Sequence, residues 1–150
     1  MQILNQDYSD LLAALSAHKA DFLIVGAHAM AIHGHPRATK DLDIWVRPTP
    51  QNARLVMDAL NDFGAALHGL TIEDLSSPGV TFQMGTGNLR IDILTEITGV
   101  DFETAWEQRT PGRLSGHDVN VLSRELLIEN KSKTGRGQDL VDVENLRKLG

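Results

Sequence analysis

Thr39-Lys40-Asp41-Leu42-Asp43-Ile44-Trp45-Val46 alternates acidic and apolar residues from Asp41 onward, the period of a β-strand with one polar face. Residues two apart on a strand share a face and lie about 6.6 Å apart along the chain. Asp41 and Asp43 therefore share one face, while Leu42, Ile44 and Val46 turn to the core. Two neighbouring anionic side chains repel each other, so a cation or basic group must offset them. Arg90-Ile91-Asp92-Ile93-Leu94 repeats the arrangement, with Asp92 between two isoleucines that face the core. If the second strand lies beside the first, Asp41, Asp43 and Asp92 converge. Such a set would hold one or two magnesium ions, hard cations that prefer carboxylate oxygen. A lone Asp-x-Asp is a weak signal, because aspartates at strand ends are commonly solvated or cap a turn. An acid inside an apolar strand says more, since a half-buried charge costs free energy unless paired. Arg90 shares the face of Asp92, where it either contacts phosphate or balances charge.

Upstream, Phe22-Leu23-Ile24-Val25 is a short apolar run that reads as a buried strand ending at Gly26. A short helix over 27–33 follows, stopped by Gly34 with Pro36 just beyond. Gly26-Ala27-His28 thus opens a helix directly after a strand. Backbone N–H groups there, together with the helix dipole, bind phosphate, and glycine lets the backbone come close. Taken alone, the motif is only a tight turn. Followed by an acidic strand, it becomes a phosphate cradle beside a metal site. Before it, residues 5–19 place Tyr8, Leu11, Leu12 and Leu15 at helical spacing.

Downstream, Thr49 caps and Pro50 begins a helix that runs to about Phe63 and ends at Gly64. Residues 80–84 and 89–94 read as strands joined by the hairpin-like Gly85-Thr86-Gly87-Asn88. A helix over 102–109, a strand over 118–122 and closing helices over 123–133 and 138–149 complete the pattern. That order predicts an α+β fold, a small mixed sheet covered by helices, in one domain spanning residues 1–150.

The bulk numbers bound the chemistry. The absence of cysteine excludes disulfides, zinc–thiolate sites and thiol catalysis. With no signal peptide and no apolar run near the ~18 residues a membrane span needs, a cytoplasmic protein without membrane contact is expected. A net charge of -6 argues against a broad, sequence-independent RNA surface but suits magnesium, and leaves room for a small contact with an acceptor end.

In this order the parts resemble the nucleotidyltransferase superfamily, the polymerase-beta-like fold. Its pattern is a glycine turn after a strand, an Arg-x-Thr-x-Asp-x-Asp segment and a third acid in a later strand. The chain has Gly26, then Arg37-Ala38-Thr39-Lys40-Asp41-Leu42-Asp43, then Asp92. It is most similar in style to small bacterial proteins related to AbiEii-type toxins of toxin–antitoxin systems. There a lysine and a downstream acid complete the site, a pattern that Lys131 with Asp139 or Asp142 fits.

The resemblance implies magnesium-dependent transfer of a nucleoside monophosphate from a nucleoside triphosphate to an acceptor hydroxyl or phosphate. RNA such as tRNA, or a protein, is the candidate acceptor, and an antitoxin the candidate partner. Asp41, Asp43 and Asp92 would hold the metal, and Asp92 would help deprotonate the acceptor. Gly26, Ala27, Arg37 and Thr39 would contact the nucleotide, and Lys131 would offset its charge. The chain departs from the family at the turn, which is Gly26-Ala27 rather than Gly-Gly or Gly-Ser. Backbone donors survive that change and a serine hydroxyl does not. The alternative is therefore a catalytically weak member that binds nucleotide or a partner.

Other residues have plainer readings. Arg37 sits beside the carboxylates and favours an internal ion pair over phosphate. His28 and His33 are five apart, not the i, i+4 spacing of two metal ligands on one helix face, so these histidines line the turn or the solvent side. Trp45 and Trp106 read as core anchors. In the last helix Leu140, Val143, Leu146 and Leu149 form a core stripe, which would leave Asp139 and Asp142 as exposed acids needing no function. Lys131, Lys133 and Arg136 form the densest basic cluster.

Overall fold

Alternating apolar residues in Asp41–Val46 and Arg90–Leu94 produce two strands that pair in parallel, and the rest of the chain is arranged about them. The computed structural model describes residues 2–36 and 39–149. Its elements run α1 (Asn5–Ala17), β1 (Phe22–Val25), α2 (Gly26–Ile32), β2 (Asp41–Val46), α3 (Pro50–Phe63), α4 (Ile72–Leu75), β3 (Thr81–Met84), β4 (Arg90–Leu94), α5 (Phe102–Glu107), β5 (Thr110–Leu114), β6 (His117–Val121), α6 (Arg124–Thr134) and α7 (Gly137–Leu149). The strands form one mixed sheet in the order β3-β4-β2-β1-β6-β5. β2 is parallel to β4 and antiparallel to β1, while β3–β4 and β5–β6 are antiparallel hairpins.

The central strands have apolar residues wherever they meet the core. Leu23, Ile24, Leu42, Ile44, Ile91 and Ile93 are fully buried, together with Leu11, Leu12 and Leu15 of α1 and Val56 and Leu60 of α3. Each such side chain contributes about 1.5–3 kcal/mol by leaving water. α1 packs against α3, α6 against α7, and α2 against β1, β2 and α6. α3 starts and stops where its sequence dictates. The Thr49 side chain accepts a hydrogen bond from Asn52 N, Pro50 occupies the first turn, and Gly64 takes the left-handed conformation at φ +88°.

Two elements differ from the sequence reading. β5, in a stretch to which the sequence reading assigns no element, contains Pro111 and Gly112 and pairs with β6 through a tight turn at Ser115 and Gly116, both at positive φ. As an edge strand it tolerates a proline that a central strand would not. The short α4 is held by a capping box in which Thr71 and Asp74 each satisfy the other's backbone N–H. Among the described residues no helix is long and apolar enough to cross a membrane.

Candidate active site

The in-register pairing of β2 with β4 sets Asp43 opposite Asp92 and Asp41 opposite Arg90. Three carboxylates and one guanidinium thus meet at the starts of two neighbouring strands. Arg90 lies 3.4 Å from Asp41 and 3.4 Å from Asp92. Asp92 is only 7% exposed, and its Oδ1 is buried without a hydrogen-bond partner. Burial, then the charges of Asp92 and Asp41, push Asp43 up from an ordinary 3.8 to about 7. Burial likewise raises Asp92, with Asp41 adding to the effect and Arg90 opposing it.

β1 lies on the other side of β2, with Val25 opposite Asp43, so the Gly26 turn reaches the same place. Gly26 has φ +70°, and a methyl group on it would run into the Asp43 carboxylate. Glycine is therefore required twice, for its backbone and for the space beside the acid. Helix α2 begins at once, and its first N–H groups have no acceptor within the helix.

Tyr8 was legible only as a core residue of the first helix. Its hydroxyl lies 3.0 Å from Lys40 O and 3.3 Å from Arg90 O, tying the starts of both acid-bearing strands together. Its ring meets His28 edge-on at 5.7 Å. Thr39 Oγ1 accepts from Asp41 N at 3.2 Å and so braces the start of β2.

The far wall comes from the α6–α7 junction, where the sequence reading needs correction. Asp139 and Asp142 are not exposed acids: they are 3% and 0% exposed, whereas Leu140 is 54% exposed. The reason is charge pairing. Lys131, itself buried, places Nζ 2.9 Å from Asp142 and 3.4 Å from Asp139. Thr134 Oγ1 donates to Asp139 at 2.6 Å, Arg136 Nε donates to it at 2.7 Å, and Gln138 donates to Asp142 at 2.9 Å. Burial pushes Asp139 upward, but the hydrogen bonds from Arg136 and Thr134 and the Lys131 charge hold it at about 2. Val143 and Leu146 do face the core, and the side chain of Leu149 lies outside the described residues. Lys133 turns away to Glu129 and Gly99 O.

One cavity of about 410 Å³ is lined by Gly26, Ala27, Thr39, Asp41, Asp43, Asp92 and Lys131, with Arg136, Gln138 and Asp139 beside them. Of the candidate residues, only Arg37 lies outside the described residues. The volume suits a nucleotide-sized ligand. A second groove, of about 550 Å³, shares Thr39 and Asp41 and continues over Lys40, Gly87, Asn88 and Arg90.

His33 and His35 make hydrogen bonds, whereas His28 packs on Tyr8 with its buried Nε2 unpartnered. His33 Nε2 lies 2.8 Å from Leu122 O, and His35 Nε2 3.2 Å from Asn145. Trp45 is a core anchor at 1% exposure, and Trp106 stacks on Phe102 at 5.8 Å. Among the described residues no three acids or histidines form a ready-made metal cage. The donor set still suits a hard divalent cation: three carboxylates face one guanidinium, and one buried carboxylate oxygen has no partner.

Neither the protein-family models nor the curated proteins contain a match to this sequence. Solved structures do match. The lincomycin-bound lincosamide antibiotic adenylyltransferase LnuA superposes with a TM-score of 0.63 at 14% identity, over 100% of each chain. A Thermotoga maritima protein provisionally assigned as a nucleotidyltransferase superposes with a TM-score of 0.59 at 17% identity, over 98% of this chain and 94% of the other. The chain has the nucleotidyltransferase fold. At these identities the likeness establishes architecture, and the residues must carry the chemistry.

Proposed function

We propose that this protein is a magnesium-dependent nucleotidyltransferase. The observation that carries the reading is the shared cavity, in which three carboxylates from adjoining strands face Lys131 and Arg136 across the Gly26 turn. Asp41, Asp43 and Asp92 would hold the divalent cation. Bound there, it would neutralise triphosphate charge and favour departure of pyrophosphate. Gly26 and the first N–H groups of α2 cradle phosphate oxygens, with Thr39 and Arg37 as further nucleotide contacts. Lys131 already pairs with Asp142 and Asp139, so it would meet the triphosphate with part of its charge, and the exposed Arg136 at the cavity edge would add to it. The acceptor oxygen forms a new bond to the α-phosphorus as the bond to pyrophosphate breaks. Asp92, raised by burial, is the group that takes the acceptor proton.

For the acceptor we propose an RNA end such as that of tRNA, or a protein. The resemblance of the Lys131…Asp139…Asp142 segment to toxin-like proteins supports a role in a toxin–antitoxin pair in the cytoplasm. Incubation with labelled nucleoside triphosphates, magnesium and separate tRNA, protein and lincomycin acceptors tests the proposal. One acceptor should become labelled, and Asp43→Ala should abolish the label.

Ala27 favours a second reading, a nucleotide- or partner-binding protein with weak turnover, because a serine hydroxyl is absent from the turn. Ala27→Ser should lower the KM for nucleotide by roughly three- to tenfold, the typical net worth of one hydrogen bond, about 0.5–1.5 kcal/mol. Intact magnesium binding with no labelled acceptor for either protein would favour the second reading.

A further inference from the structure

Arg90 touches the same carboxylates that the proposed function assigns to a cation, and the inference that follows rests on that reading. Its guanidinium spans Asp41 and Asp92 at 3.4 Å each, long for charge-assisted hydrogen bonds. The side chains of Arg90 and Asp41 are 40% and 44% exposed, so water competes for both. Nor does this contact satisfy the cluster: Asp92 Oδ1 remains buried and unpartnered. A delocalised single charge is too large and too weak for three converging carboxylates, whereas a compact divalent ion suits them. Arginine cannot shed its charge by deprotonation, so its charge leaves the cluster only if the side chain moves. There is room for that movement, because Arg90 also lines the groove of about 550 Å³ formed with Lys40, Gly87 and Asn88.

We propose that Arg90 is an exchangeable counter-ion. It holds Asp41 and Asp92 in the metal-free protein and swings into the groove when a divalent cation takes its place. It is a positioning residue, and it sets the cation affinity below what three uncompensated carboxylates would give. The cation then enters best together with a triphosphate, whose own charge makes up for the competition.

The test is direct Mn2+ binding to the full chain, followed by the electron paramagnetic resonance signal of free Mn2+, for the wild type, Arg90→Gln and Arg90→Lys. Arg90→Gln should bind Mn2+ about tenfold more tightly than wild type, with Arg90→Lys between the two. Metal-free Arg90→Gln should also melt below wild type, and saturating Mn2+ should remove most of that difference. Equal or weaker Mn2+ binding by Arg90→Gln would overturn the proposal while leaving the metal site intact. Failure of all three proteins to bind Mn2+ would instead overturn the metal reading beneath it. If Arg90→Gln does not fold without metal, recovery of its circular dichroism on adding Mn2+ supports the exchange. No recovery, with Arg90→Lys binding like wild type, contradicts it.

Discussion

Asp43 shows most plainly what the site costs the protein. Its folded value of about 7 lies above the ordinary 3.8, so between those values the folded chain holds more protons than the unfolded one. Stability from this group therefore falls as pH rises from about 4 through about 7, and the penalty is complete above that. Asp43 and Asp92 face each other and titrate as a pair, so the window belongs to both. Asp43→Asn should stabilise the metal-free protein by about 1–3 kcal/mol near pH 8 and give almost nothing near pH 4. Urea denaturation at the two pH values measures this. An equal gain at both would show that the change is one of packing rather than charge.

The junction of α6 and α7 is the element whose role was hardest to see in advance. Lys131→Met removes a shared cation from two buried carboxylates and should destabilise the protein by about 3–5 kcal/mol, read as a fall in the denaturant midpoint. Asp139 acts in the opposite direction from Asp43: held at about 2, it contributes stability at neutral pH that is lost as pH falls below about 4. Local signals made other elements legible. α3 is written into Thr49, Pro50 and Gly64, and β2 and β4 into their alternation, because caps and period depend on near neighbours. β5 is visible only through its pairing with β6, which no window around Pro111 and Gly112 contains. Of the expected stripe only Val143 and Leu146 are buried; Leu140 is exposed, and Asp139 and Asp142 lie on the buried face instead. Spacing cannot show that a lysine eight residues before Asp139 pays for their burial. The three aspartates were legible as a face, whereas Tyr8, tying their strands together, carried no distinguishing signal.

Across the described residues, one six-stranded sheet joins the glycine turn, the acid strands and, through helix packing, the charge-paired wall of α6 and α7. A single hydrophobic cluster draws on α1, α3, α6, α7 and the sheet, so we expect one cooperative unfolding transition, with coincident curves by circular dichroism and tryptophan fluorescence. A divalent cation that binds only the folded chain should raise that transition, by about 2.7 kcal/mol at 100 times its Kd. Nucleotidyl transfer requires attack at the α-phosphorus of the triphosphate. The most direct measurement uses nucleoside triphosphates labelled separately at the α- and γ-phosphorus, with magnesium and the tRNA pool, for the wild type and for Asp43→Asn. α-Label alone should become attached to the acceptor with release of pyrophosphate, and Asp43→Asn should stay folded and transfer none. Attachment of γ-label, or unchanged α-transfer by Asp43→Asn, would contradict the proposed function.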